Sequence, residues 1–146
     1  MTYICIPYMN RGSKVINMSS GAALMPQPRF AVYAASKSYV SSFSKAVART
    51  LKHRGITVCE ICAGPVATNF YRTAFEESEY ERETKRLKMQ SPREIADKAL
   101  ICAERGKHIC YSSGFMRFAA LLTKIVPLSA LLSLLMYMSA KKYEID

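Results

Sequence analysis

Lys14-Val15-Ile16-Asn17-Met18 and Ile56-Thr57-Val58-Cys59-Glu60-Ile61 are short apolar runs rich in β-branched residues. Each reads as a buried strand. Between them, from about Ala31 to Arg54, Val40, Phe43, Val47 and Leu51 recur at three and four, as one face of a helix does. The basic turn Lys52-His53-Arg54 and then Gly55 supply a helix stop. Strand, helix, strand is a βαβ unit, so the strands are expected to be parallel with a right-handed crossover.

The reading extends outward on both sides. Residues 3–10 are apolar and read as the tail of a helix stopped at Gly12. Residues 19–30 read as a loop punctuated by Pro26 and Pro28. Residues 63–69 follow the second strand as a loop, the edge where open α/β sheets bind ligands. Residues 71–90 are the most charged stretch and read either as a helical lid or as a solvated helix. Ser91-Pro92-Arg93-Glu94 is a capping box with proline in the first turn, opening a helix to about Glu104. Lys107 to Tyr111 reads as a short final strand. The expected fold is α/β, a parallel sheet built on the βαβ unit and followed by apolar C-terminal helices. Residues 1–114 form the α/β part and residues 115–146 the apolar tail.

Composition excludes several classes. Half of the 146 residues are hydrophobic, enough for a core. The five cysteines are an odd number, which argues against a secreted disulfide framework and for a reducing cytoplasm. Cys59 and Cys62 imitate a redox motif, but within a strand they point to opposite faces and read as packing residues. No four-ligand metal spacing occurs, and His53 and His108 read as surface residues. Net charge is +10, with +7 of it in residues 1–60. The basic residues are scattered without a stripe or a stacking platform, so no nucleic-acid partner is expected.

The candidate chemistry lies in Tyr33-Ala34-Ala35-Ser36-Lys37, with Ser20 thirteen positions upstream. A spacing of four puts the phenol and the ammonium one helical turn apart on one face. The ammonium favours the phenolate, which suits proton transfer to or from a substrate oxygen. Gly12-Ser13-Lys14-Val15-Ile16-Asn17-Met18-Ser19-Ser20-Gly21, then Tyr33 to Lys37, then Cys62-Ala63-Gly64-Pro65-Val66-Ala67-Thr68-Asn69-Phe70 together resemble the short-chain dehydrogenase/reductase family.

That resemblance implies a partial doubly wound parallel sheet of Rossmann type, its C-terminal βαβ half, and an NAD(P)-dependent oxidoreductase acting on a carbonyl or alcohol. It makes Tyr33 the general acid/base, Lys37 its partner and a contact of the nicotinamide ribose, and Ser20 the group that orients the substrate oxygen. Ser19 is the competing assignment. Tyr33, Lys37, Gly64, Val66 and Thr68 would touch the cofactor. Ala63 stands where many members have proline. The C-terminal layout resembles the branch of long-chain 3-oxoacyl and 17β-hydroxysteroid reductases, which implies a lipophilic substrate. Many members pair through the helix bearing the Tyr-Lys motif, so a homo-oligomer is expected on that ground.

Two family patterns are missing from these 146 residues. The six glycines, at 12, 21, 55, 64, 106 and 114, form no Gly-rich dinucleotide turn, and no N-N-A-G run occurs. The expectation is a chain equivalent to the C-terminal part of the family fold, about 110 residues short of it and inactive alone. Residues 14–18 would then stand at an open sheet edge. The alternative reading is a non-catalytic module that docks through residues 115–140 on a partner or a membrane. The longest charge-free run, residues 125–140, is short of a bilayer span and contains Pro127. Three readings stay open for it: packing on its own domain or a partner subunit, lying at a membrane interface with Lys141 and Lys142 at the edge, and a true span.

Overall fold

The computed structural model describes residues 1–27, 30–74 and 89–143. Three parallel strands, β1 (Lys14–Met18), β2 (Thr57–Cys62) and β3 (Ile109–Tyr111), form one sheet in the order β1-β2-β3. The helices are α1 (Thr2–Cys5), α2 (Ala31–Leu51), α3 (Asn69–Ala74), α4 (Pro92–Glu104), α5 (Gly114–Ile125) and α6 (Leu128–Tyr143). The expected parallel sheet, the long helix and the capping box are all present. The Ser91 hydroxyl accepts from the Glu94 amide at 3.1 Å, and the Glu94 carboxylate accepts from the Ser91 amide at 3.0 Å.

The central strand β2 is covered on both faces. Cys59 and Ile61 pack with Ile95, Ala99 and Ala103 of α4. Val58, with Ile56 just before the strand, packs with Val47, Ala48 and Leu51 of α2. Alternate side chains of one strand thus feed two cores, as strand geometry requires. Burying each Val or Ile contributes about 1.5–3 kcal/mol. Because α2 and α4 lie on opposite faces while the strands advance in one direction, the two crossovers have opposite hands. The right-handed preference therefore holds for one connection and not for both.

Three local features differ from the sequence reading. Helix α1 is followed by a tight 3-10 turn, Ile6–Tyr8, and Met9 is already extended. Pro7 has no amide to continue the helical ladder, so the helix ends before Gly12. Gly12 instead turns the chain into β1 with φ +89°, its amide on the Gly55 carbonyl at 2.9 Å. The loop after β1 contains a 3-10 turn, Gly21–Leu24. On α2, Val47 and Leu51 are buried as expected, but the buried face also includes the small residues Ala34, Ser41, Ser44 and Ala48. These small side chains let the helix settle on the sheet, where Asn17 donates to Ser44 at 2.8 Å.

Gly55 ends the helical segment as expected, in the left-handed region at φ +68°. Cys59 and Cys62 are both buried, and burial pushes each thiol up to about 11. Among the described residues no group of three His, Cys, Asp or Glu side chains could hold a metal. Residues 75–88 of the expected lid lie outside the described residues. Among the described residues β1 pairs on one side only, with β2. No described helix is long and apolar enough to cross a membrane.

Candidate active site

A cavity of about 690 Å³ opens at the C-terminal ends of β1 and β2. Its walls come from the end of β1 (Ser19, Ser20, Gly21), from α2 (Tyr33, Lys37), from the loop after β2 (Gly64, Val66, Thr68) and from α5 (Phe115, Met116, Ala119). Every residue expected from the sequence to act on substrate or to meet a cofactor lines this one space. The fold explains the convergence, since parallel strands deliver their following loops to a common edge.

The two serines diverge. Ser19 is buried, its hydroxyl donating to the Lys37 carbonyl at 3.3 Å and its amide to the Ile61 carbonyl at 3.0 Å. Its side chain ties β1 to α2. Ser20 is half-buried and caps the 3-10 turn, its oxygen accepting from the Ala22 amide at 3.2 Å. The Ser20 O–H is a donor as well as an acceptor, so the cap leaves it chemistry to offer.

Lys37 donates one N–H to the Met18 carbonyl at 3.1 Å. Its ammonium lies 5.7 Å from the centre of the Tyr33 ring. An ammonium has three donors, and this bond aims the charge at the mouth of the strand. Tyr33 is clamped between two rings, Phe30 at 6.4 Å and Phe70 at 5.1 Å between centroids. The Lys37 and Tyr33 side chains therefore hold the one-turn relation that their spacing predicts.

The loop after β2 is braced by residues that the motifs did not single out. Ser112, just past β3 and buried, accepts the Gly64 amide on its hydroxyl at 2.9 Å. Its carbonyl accepts from Lys98 at 2.7 Å and from Gln90 at 3.1 Å. The Gln90 backbone bonds Pro65 and Ala67, each at 3.0 Å. Thr68 is exposed, with its hydroxyl 3.5 Å from the Val66 carbonyl. On the opposite wall Met116 packs over Gly21 and Gly64. A Cβ added at Gly21 would stand 2.7 Å from the Met116 sulfur. The available signal for Ser112 was its place at the C-terminal end of a strand. Met116 gave none, because one methionine in an apolar helix looks like any other.

Residues 1–79 match the family model described as short chain dehydrogenase, and the chain belongs to that family. A short-chain type dehydrogenase/reductase of Picea abies is 32% identical over 92 residues, covering 63% of this chain and 34% of that protein. The 17-beta-hydroxysteroid dehydrogenase type 3 of Mus musculus is 40% identical over 60 residues, covering 40% and 20%. A solved short chain dehydrogenase from Burkholderia cenocepacia, in complex with NADP, has the same fold. Its TM-score is 0.68 at 22% identity over 85% of this chain and 49% of that one. The chain thus spans half or less of the length of these relatives.

Proposed function

We propose that this chain forms the substrate-facing half of an NAD(P)-dependent oxidoreductase that interconverts a lipophilic carbonyl compound and its alcohol. The observation that carries the reading is the convergence of Ser20, Tyr33 and Lys37 on one cavity whose remaining walls are largely apolar. The mouse relative's name, a hydroxysteroid dehydrogenase, favours the same substrate class.

In this reading Tyr33 exchanges a proton with the substrate oxygen from its phenol. Lys37 places positive charge beside that phenol and is itself steered by the Met18 carbonyl. Ser20 hydrogen-bonds the substrate oxygen and sets its distance from the phenol. Phe30 and Phe70 hold the Tyr33 ring, and the apolar α5 wall excludes water from the reacting carbon.

The residues present fit one end of the dinucleotide. Lys37, Tyr33 and the loop carrying Gly64, Val66 and Thr68 would hold its nicotinamide ribose portion, where the cofactor supplies or accepts the hydride. Ser112 satisfies the Gly64 amide and so fixes that loop's shape beforehand. None of the 146 residues offers the Gly-rich turn that a pyrophosphate needs. The alternative, a non-catalytic docking module, draws on the exposed C-terminal helices rather than on this cavity.

Two measurements test the proposal. Calorimetric titration of the 146-residue chain with NADPH should show no saturable binding in the micromolar range, and micromolar binding would refute the half-site reading. In a form of the protein that binds NADPH, Tyr33→Phe should lower ketone reduction about 10²–10⁴-fold at saturating NADPH. Equal turnover in the variant, or no reduction of any lipophilic ketone by the unsubstituted protein, would overturn the assignment.

A further inference from the structure

Helix α5 is apolar on two sides. Met116 and Ala120 face the protein and are buried. Phe115, Phe118, Leu121 and Ile125 form an outward stripe, 71%, 60%, 54% and 71% exposed. Their spacing of three and four places them on one helix face. A lone exposed Phe or Leu needs no explanation, but a continuous stripe of four does. Past Pro127, α6 also exposes Leu128, Leu134, Met136 and Tyr137, spread around the helix rather than along one face.

The stretch of chain that carries this stripe holds charge of one sign. Residues 105–143 contain no Asp or Glu and six Lys or Arg. Arg117 and Lys124, seven residues apart, stack on one border of the stripe and are both exposed. Between that border and Tyr111 at the end of β3 runs a groove of about 430 Å³, walled by both cations. An apolar helix face edged by long basic side chains is the pattern of a helix lying in a membrane interface. The rings enter the acyl boundary while the cations reach back to phosphate.

We propose that α5 is a docking surface for an anionic lipid bilayer, with the Arg117–Lys124 groove facing the headgroup phosphates. A second copy of the chain is the poorer occupant. A two-fold contact through this stripe would set Arg117 and Lys124 of each copy against the same helix, which itself carries no acid. The geometry also links the surface to the cavity. Phe115 belongs both to the exposed stripe and to the cavity wall, so docking puts the cavity mouth at the bilayer. Only the use of that position, uptake of a lipophilic substrate from the membrane, rests on the oxidoreductase reading. Vesicle binding is measured without turnover, so either idea can fail alone.

The test is co-sedimentation of the full chain with mixed phosphatidylserine–phosphatidylcholine vesicles and with pure phosphatidylcholine vesicles. Binding should require phosphatidylserine. It should weaken as salt rises from about 0.1 M to about 1 M, which shortens the screening length from about 10 Å to about 3 Å. Each cation near such a surface is worth about fivefold in partitioning, so Arg117→Glu with Lys124→Glu should reduce binding at least about 25-fold. Phe118→Ser with Leu121→Ser should reduce it as well. All four positions are exposed and outside the cavity wall, and an unchanged circular dichroism spectrum establishes that each variant folds. Should one pair fail to fold, the other decides the test. Failure of the folded chain to bind phosphatidylserine vesicles, or equal binding by the folded variants, overturns the proposal. So does a dimer in light scattering that Phe118→Ser with Leu121→Ser dissociates, when no vesicle binding accompanies it.

Discussion

Replacing Glu60 by Gln should make the protein more stable at neutral pH, and the size of the gain follows from the contacts of one carboxyl group. Glu60 sits mid-strand in β2, 4% exposed, facing α2. Its Oε1 accepts from the Ser41 hydroxyl at 3.0 Å and lies 3.8 Å from the Lys45 ammonium. Its Oε2 is buried with no hydrogen-bond partner. Burial raises the carboxyl above its usual range, while Ser41 and Lys45 pull the other way. A buried charged oxygen without a donor costs about 3 kcal/mol, and a neutral amide left unpaired costs about 1 kcal/mol. The Lys45 side chain is 54% exposed. Its ion pair therefore returns only about 0–1 kcal/mol. Glu60→Gln keeps an acceptor for Ser41 and removes the charge, a net gain of about 1–2 kcal/mol at pH 7.

The pH dependence has a definite sign. With its folded value raised above the unfolded value near 4.5, Glu60 binds more protons in the native state than in the unfolded one across that window. Stability contributed by the protonated carboxyl is complete below about 4.5 and is lost as pH rises through the folded value. The acidic groups coupled to it, the Cys59 and Cys62 thiols and the Tyr111 phenol, are pushed upward mainly by burial and stay neutral at pH 7. Urea unfolding of both proteins at pH 4 and pH 7 measures the difference while cancelling the other titrations. The advantage of Glu60→Gln should be present at pH 7 and absent at pH 4. A variant no more stable than the parent at pH 7, or equally favoured at both pH values, would refute the reasoning.

Two further outcomes concern the walls of the cavity. Ser112→Ala strips the Gly64 amide of its acceptor and should cost about 1–3 kcal/mol, seen as a lower urea midpoint; an unchanged midpoint would show that the loop is held by Gln90 alone. Gly21→Ala drives a methyl group towards the Met116 sulfur, 2.7 Å away, and should cost about 1–3 kcal/mol in the parent but much less beside Met116→Ala. A double-mutant cycle with no coupling would remove Met116 from its place over the turn.

Much of this was legible because the strong signals were local. β-branched runs, a helical stripe, a glycine stop and a capping box each act within a few residues, and β1, α2, β2 and α4 formed where those signals stood. Strand ends moved by a residue or two, as for β2, which runs from Thr57 to Cys62. Tyr33, Lys37 and Ser20 were legible for the same reason, and the ends of parallel strands then brought Gly64, Val66 and Thr68 to them. What escaped depends on residues far apart in the chain. The faces on which α2 and α4 lie, the Ser112 brace and the Met116 contact are all set by tertiary packing. Glu60 was visible as an acid within an apolar strand, yet its partner Ser41 lies nineteen positions back, on a helix face that reads as merely polar.

The double-sided burial of β2 has a consequence for how the molecule comes apart. Val58, Cys59, Glu60, Ile61 and Cys62 are each 4% exposed or less. The two cores therefore share their middle wall, and neither can open without uncovering the other. A strand in that position cannot fray from one side, so its backbone amides are shielded until the whole body gives way. Strand β1 also sends Ile16 to one core and Val15 to the other, but these side chains are only partly buried, and among the described residues β1 pairs on one side only. Motion that admits or releases a ligand at the cavity belongs to the loops and helices around the shared strand, which stays fixed as the hinge-free spine.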